Sequence, residues 1–124
     1  MIHLDTSFLI RSLTADSSES RSIRQWISQG ETLCISALAW AEFLCGPLSA
    51  SEAKIAGAIV TQTLPFGQNE AELAAYLFNE AGRNRGTVVD CMIAATAIRN
   101  DARLATSDRR FFGRLEPFGL LLAV

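Results

Sequence analysis

The sequence predicts an α/β domain built on a mostly parallel sheet. Three observations lead there: short apolar runs recur as candidates for buried strands, segments with helical spacing separate them, and glycine, proline or a polar cap marks most junctions. Strands that alternate with helices need crossover connections, which are right-handed and cover both sheet faces, so a doubly wound layer structure follows.

The elements follow in order. Ile2–Leu4 is a short apolar strand broken by Asp5-Thr6-Ser7, residues able to cap a helix over Phe8–Leu13. From Ser17, the spacing of Ile23, Trp26 and Ile27 marks one helical face, and Gly30 supplies a left-handed stop before the second strand, Thr32–Ile35. Ser36 caps Ala37–Cys45, which Gly46-Pro47 terminates, and Ser49-x-x-Glu52 is a capping box for a helix reaching about Thr61. Thr63–Phe66 is a brief third strand. Asn69-x-x-Glu72 opens a helix with Leu73, Tyr76 and Leu77 facing inward, which ends near Arg83-Asn84-Arg85-Gly86. The next helix begins at Thr87 or Val88 and runs to about Asn100. Arg103–Thr106 is the fourth strand, Arg109–Arg114 a short helical turn, and Phe118–Val124 a terminal apolar strand.

With 124 residues, 49% of them hydrophobic, the chain can bury one substantial core, and one domain over residues 1–124 is expected, without linker or repeat. A net charge of -2 argues against a uniformly basic nucleic-acid binder, so any affinity for a polyanion must be local. Ten of the eleven basic residues are arginine, and seven of these fall from Arg83 onward, a region where Arg83, Arg85, Arg109 and Arg110 are candidates for gripping phosphate. Cys34, Cys45 and Cys91 lack metal or redox spacing and sit in apolar runs, which disfavours a disulfide framework or a zinc site. There is no signal-like N-terminal stretch and no uncharged run of membrane-spanning length, so a cytoplasmic protein without a membrane partner is expected.

Four acids stand out by context. Asp5 in Met1–Ile10, Glu42 in Leu33–Leu48 and Asp90 in Val88–Ile98 are each the only acid of an apolar segment, and Asp108 follows directly on a strand. A carboxylate in such surroundings loses hydration and needs a compensating cation or several donors. In a doubly wound sheet the crevice lies at the carboxyl ends of the strands, where their order reverses. If strands one and four are neighbours, all four acids converge there. Oxygen ligands without histidine or cysteine favour Mg²⁺ or Mn²⁺, which would activate water for phosphodiester hydrolysis. Thr6, Ser7 and Thr106 flank the proposed ligands and can hydrogen-bond a carboxylate or a coordinated water. Each acid also has a bland role open to it: Asp5 can cap a helix, Asp90 can close a capping box with Thr87, and Asp108 can shape a turn. His3, Trp26, Trp40, Phe111 and Phe112 read as packing residues outside the site.

The segments Leu4-Asp5-Thr6-Ser7-x-Leu9-Ile10, Ala41-Glu42-Phe43-Leu44-x-Gly46, Asp90-x-x-Ile93-Ala94-Ala95-Thr96-Ala97 and Leu104-Ala105-Thr106-x-Asp108, in that order, resemble the PIN domain of VapC type across essentially the whole chain. The resemblance implies a three-layer α/β/α fold with a central parallel sheet in the order 3-2-1-4-5. It implies a Mg²⁺- or Mn²⁺-dependent endoribonuclease toxin acting on tRNA or rRNA, neutralised by a cognate VapB-like antitoxin and commonly homodimeric. It carries the acidic metal-site roles to Asp5, Glu42, Asp90 and Asp108, with Thr106 as an associated hydroxyl. Ser7 stands where many relatives carry asparagine. Two other readings fit the same residues: a catalytically quiet module that regulates DNA through an antitoxin complex, and a DNA phosphodiesterase.

Overall fold

A computed structural model describes all 124 residues, and its centre is a four-stranded parallel sheet. The strands are β1 (Ile2–Leu4), β2 (Leu33–Ser36), β3 (Gln62–Leu64) and β4 (Arg103–Ala105), in the order β3-β2-β1-β4. Every residue of β1 and β2 is buried, which for side chains that alternate between faces means that both faces of the sheet centre are covered. The covering helices are α1 (Thr6–Ser12), α2 (Ser18–Ser28), α3 (Ala37–Leu44), α4 (Ala50–Ile59), α5 (Gln68–Glu80) and α6 (Val88–Arg99), followed by the single turn α7 (Arg109–Phe112). The largest fully buried side chains include Ile2, Leu4, Leu9, Ile35, Phe43, Leu77, Ile93, Leu104 and Phe112, so one core joins sheet and helices.

Caps explain where several helices begin. Ser17, Ser36 and Ser49 each accept a hydrogen bond from the third residue of their helix, and Glu52 completes a capping box with Ser49. The helix α5 departs from expectation: its cap is Gly67, not Asn69, and Gln68 instead donates to Glu72 across one turn at 3.2 Å. Its buried positions are Ala74 and Leu77, while Tyr76 is 51% exposed and meets Phe118 edge-on. The phenol is thereby left in water at its polar end, an outcome open to an amphipathic ring.

The fifth strand expected at the C-terminus shrinks to one bridge. Gly113–Phe118 winds as 3₁₀ helix and Gly119 turns the chain with φ 109°. Leu122 then pairs with Leu104, held by Leu104 N–H donating to Leu121 at 2.7 Å and Ala123 N–H donating to Leu104 at 2.8 Å. The segment therefore lies beside β4, at the edge assigned to it, without extending as a ladder. Leu120 is buried and Leu121 is exposed, so the apolar run does not stand for a strand with both faces covered.

The connection order fixes where a site can form. From β1 the chain steps to β2 on one side, while β4 returns to the other side of β1, so the sheet has its switch point at β1. The register pairs Leu4 with Ala105, which makes Asp5 and Thr106 neighbours just past the carboxyl ends of two adjacent strands.

Candidate active site

Asp5, Thr6, Ser7, Glu42, Asp90 and Asp108 line one cleft of about 290 Å³, with Ile10 and Phe112 as its apolar wall. The four acids come from four places in the chain: the end of β1, the middle of α3, the first turn of α6, and the loop after β4. Strands β1 and β4 are indeed adjacent, and this adjacency is what brings the first and last acids together.

Asp5 is buried and tightly held. Its Oδ1 accepts from the Thr6 backbone N–H at 2.8 Å, and its Oδ2 accepts from the hydroxyls of Ser7 at 3.0 Å and Thr106 at 2.8 Å. Burial raises its pKa, and the three donors oppose that rise by stabilising the carboxylate. The Thr106 hydroxyl also accepts from the Asp108 N–H at 2.9 Å, so one side chain sets the spacing between two acids. The Thr6 hydroxyl donates to Glu42 Oε1 at 3.0 Å and to the Ala39 carbonyl at 3.1 Å, which ties α1 to the helix that carries Glu42.

Helix capping accounts for part of this arrangement. Asp5 and Asp108 are the caps of α1 and α7, Asp108 accepting from Phe111 N–H at 3.2 Å. Asp90 has no such duty, because Thr87 makes no cap and its hydroxyl donates to the Asn84 carbonyl at 2.7 Å. The capping box open to Asp90 from the sequence does not form. Partial burial, followed by the charges of Asp5, Glu42 and Asp108, raises the Asp90 pKa to about 6. The cleft is thus a concentration of negative charge. No lysine or arginine lines it, and none of the four acids enters an ion pair.

The donor set suits a hard divalent cation: carboxylates and hydroxyls, with no imidazole or thiol in the lining. The acids face one another across the cleft, but no three of them are drawn together into a preassembled metal-binding group.

His3 is a packed residue of the central strand, as its sequence context suggested. It is fully buried, and its Nε2 accepts from the Ser36 N–H at 2.8 Å. Burial lowers its pKa to about 4, so the ring is neutral and its proton sits on Nδ1. Ser36 in turn caps α3 through Ala39 N–H, so His3 fixes the start of the helix that presents Glu42.

The candidate RNA-binding arginines fall outside the cleft. Arg83 bonds Asn79 and lies over the Phe78 ring at 5.6 Å, Arg85 and Arg110 are exposed, and Arg109 lines a neighbouring cavity. The aromatic assignments agree with the structure: Trp26, Phe111 and Phe112 are buried, and Trp40 stacks on Phe43. Phe112 nevertheless also walls the acid cleft, a double role that its position in a Phe-Phe pair did not signal.

Comparison with known proteins matches residues 2–116 to the PIN domain. The chain belongs to the PIN domain family. Among solved structures, this PIN domain is similar to VapBC2 from Rickettsia felis, solved bound to a promoter DNA fragment. The identity there is 19%, the match covers 98% of this chain and 97% of that one, and the TM-score is 0.76. It is similar to FitAcB from Neisseria gonorrhoeae at 22% identity, covering 98% and 96% of the two chains, with a TM-score of 0.72. It is also similar to Mycobacterium tuberculosis VapC20, described as a sarcin-ricin loop cleaving toxin, at 19% identity, covering 91% and 94%, with a TM-score of 0.67. Curated proteins searched by sequence give no match. At these identities the structural likeness is one of fold. No helix of this PIN domain is long and apolar enough to cross a membrane.

Proposed function

We propose that this PIN domain is a Mg²⁺- or Mn²⁺-dependent endoribonuclease, the toxin of a VapBC-type module. In this reading it is held in check by a VapB-like antitoxin, assembles as a homodimer and works in the cytoplasm. One observation carries the proposal: four carboxylates from four separate segments face one cleft that contains no protein cation. Glu42 and Asp108 are exposed, against the loss of hydration expected for Glu42, so it is buried Asp5 and half-buried Asp90 whose charge favours a partner bringing positive charge from outside.

A divalent ion bound there would supply an activated water and positive charge next to the phosphodiester. The chain's own groups divide the remaining work. Asp5, locked by three donors, is the fixed ligand. Asp90, without any hydrogen-bonded restraint from a cap, must give up its proton for the ligand set to be complete. Glu42 and Asp108 close the rim, positioned through Thr6 and Thr106. Ile10 and Phe112 limit water on one wall. Arg83, Arg85, Arg109 and Arg110 are the proposed phosphate contacts, and a structured RNA of the tRNA or rRNA class is the proposed substrate. The description of the Mycobacterium tuberculosis relative as a sarcin-ricin loop cleaving toxin supports that class.

The test is cleavage of total tRNA and rRNA by the purified chain with Mn²⁺, with Mg²⁺ and with EDTA. Metal-dependent cuts are expected, and Asp5→Asn, which keeps a capping side chain, should reduce them to background. Cleavage that persists in EDTA, or in Asp5→Asn, would remove the mechanism. Equal cutting of single-stranded DNA would move the substrate class.

A further inference from the structure

A second cavity, of about 450 Å³, lies against the acid cleft. The two share a wall. Thr106, Ser107 and Arg109 line this cavity, Asp108 lines the other, and Thr106 is the residue whose hydroxyl holds Asp5. The helix α1 divides them in the same way, with Thr6 and Ser7 facing the acids and Phe8 and Arg11 facing the second cavity.

The charge of the neighbouring space is reversed. Arg11 and Arg109 enter it, both exposed and neither in an ion pair. Ser22 and Ser107 add hydroxyls to the lining. Glu19 is its one acidic side chain, and that carboxylate already accepts from the Ser18 hydroxyl at 2.7 Å. Two unneutralised guanidinium groups with hydroxyls beside them form a donor set for a phosphate, which arginine can bind in bidentate fashion. The volume is also within the usual range for a ligand pocket.

We propose that this cavity is a phosphate subsite of the nuclease, taking a backbone phosphate that flanks the scissile one, with Arg11 and Arg109 as its ligands. The inference rests on the ribonuclease reading above and extends it. The strand would run from a cleft that requires an added cation, over the Thr106–Asp108 segment, into one that carries its own. Opposite charge on the two sides of that segment orients the strand, because an unscreened phosphate is repelled from the acids and attracted to the arginines.

The experiment measures binding apart from cleavage. Fluorescence anisotropy of a short 5′-labelled oligouridine is followed against KCl concentration in Mg²⁺, using the full chain carrying Asp90→Asn with and without Arg11→Gln. Arg11 is exposed, so the substitution leaves the core untouched. Loss of a charged hydrogen bond should weaken binding about tenfold. The slope of log affinity against log salt should flatten by about 0.7, the contribution of one phosphate contact on a single strand. Arg11→Lys should keep the slope, and Arg99→Gln, in the last turn of α6, should change neither quantity. In the cleaving chain, Arg11→Gln should raise KM and leave kcat nearly unchanged. Unchanged affinity and slope on adding Arg11→Gln to the Asp90→Asn chain, while the chain with Asp90 intact cuts RNA, would overturn the subsite alone. A parent chain that neither binds nor cuts RNA would overturn the subsite and the nuclease reading together.

Discussion

The two ends of the sheet treat carboxylates in opposite ways. At the amino ends of the strands, Glu31 lies 3.0 Å from the Met1 ammonium and 2.7 Å from Arg103, and these partners hold its pKa below the usual range. At the carboxyl ends, four acids share a cleft without one basic side chain, and Asp90 is pushed up to about 6. The chain has eleven basic residues, so cations were available to both ends. Glu31 and Asp16 are the only acids in ion pairs, so what sets the cleft apart is that four unpaired carboxylates are gathered in one place. Glu31 is compensated within the chain, while the four cleft acids are left without a cation of the chain's own.

The sharpest way to break this contrast is through the hydroxyl that spaces the acids. Thr106→Val removes a donor to Asp5 and the acceptor for Asp108 N–H, and should lower metal-dependent cleavage about 10- to 100-fold, as loss of a group orienting a metal ligand typically does. Steady-state kinetics across a Mn²⁺ titration would check this, and an unchanged metal requirement would mean that the network does not position the ligands.

A smaller effect should appear in stability. Because the folded-state pKa of Asp90 is raised, the native protein holds more protons than the unfolded chain between about pH 4 and about 6, and its stability falls as pH rises through that window. Asp90→Asn should therefore stabilise the metal-free protein at pH 7.5 by about 1 kcal/mol, a figure reduced for the solvent that reaches this half-buried group. His3 has the opposite sign. Its pKa is lowered to about 4, so its contribution is present above the unfolded value and is lost as pH falls through the folded one. The two slopes oppose each other in the wild type. In Asp90→Asn one of the slopes opposing that of His3 is removed, giving a steeper loss of stability on acidification. Denaturant melts from pH 4 to pH 8, with and without Mg²⁺, would show both effects, and identical profiles for the two proteins would refute the assignment. Added Mg²⁺ should also stabilise the wild type more than the variant.

The smallest change is expected from Glu31→Gln. It should lower thermal stability slightly, by less than Asp90→Asn raises it, and leave RNA cleavage unchanged. A loss of cleavage there would mean that the two ends of the sheet are not independent.

Much of the site was legible because each acid interrupts a segment that otherwise reads as core. Asp5, Glu42 and Asp90 are conspicuous for that reason, and the adjacency of β1 and β4 follows from strand-helix alternation combined with the family resemblance. Side-chain direction was harder to read. Tyr76 and Leu77 are adjacent on one apolar-rich helix, and composition does not decide which turns inward; packing against α6 does. The terminal run Phe118–Val124 is apolar enough for a strand, yet Pro117 and the left-handed Gly119 bend its approach, so only the stretch around Leu122 meets β4, as a single bridge. Arg11 was hidden for a different reason. Its role depends on what stands beside it after folding, namely Ser107 and Arg109 from nearly a hundred residues away.

The hydroxyl of Thr6 has one proton and two acceptors, the Ala39 carbonyl and Glu42. Should Glu42 rotate away toward an incoming ion, that proton still has a home, and no buried donor is orphaned by the movement. Asp5 has no comparable release, since all three of its donors would have to be given up at once. The pocket therefore has a rigid pole and a compliant one, and loading it would be a matter of the α3 carboxylate folding in over an anchor that is already set.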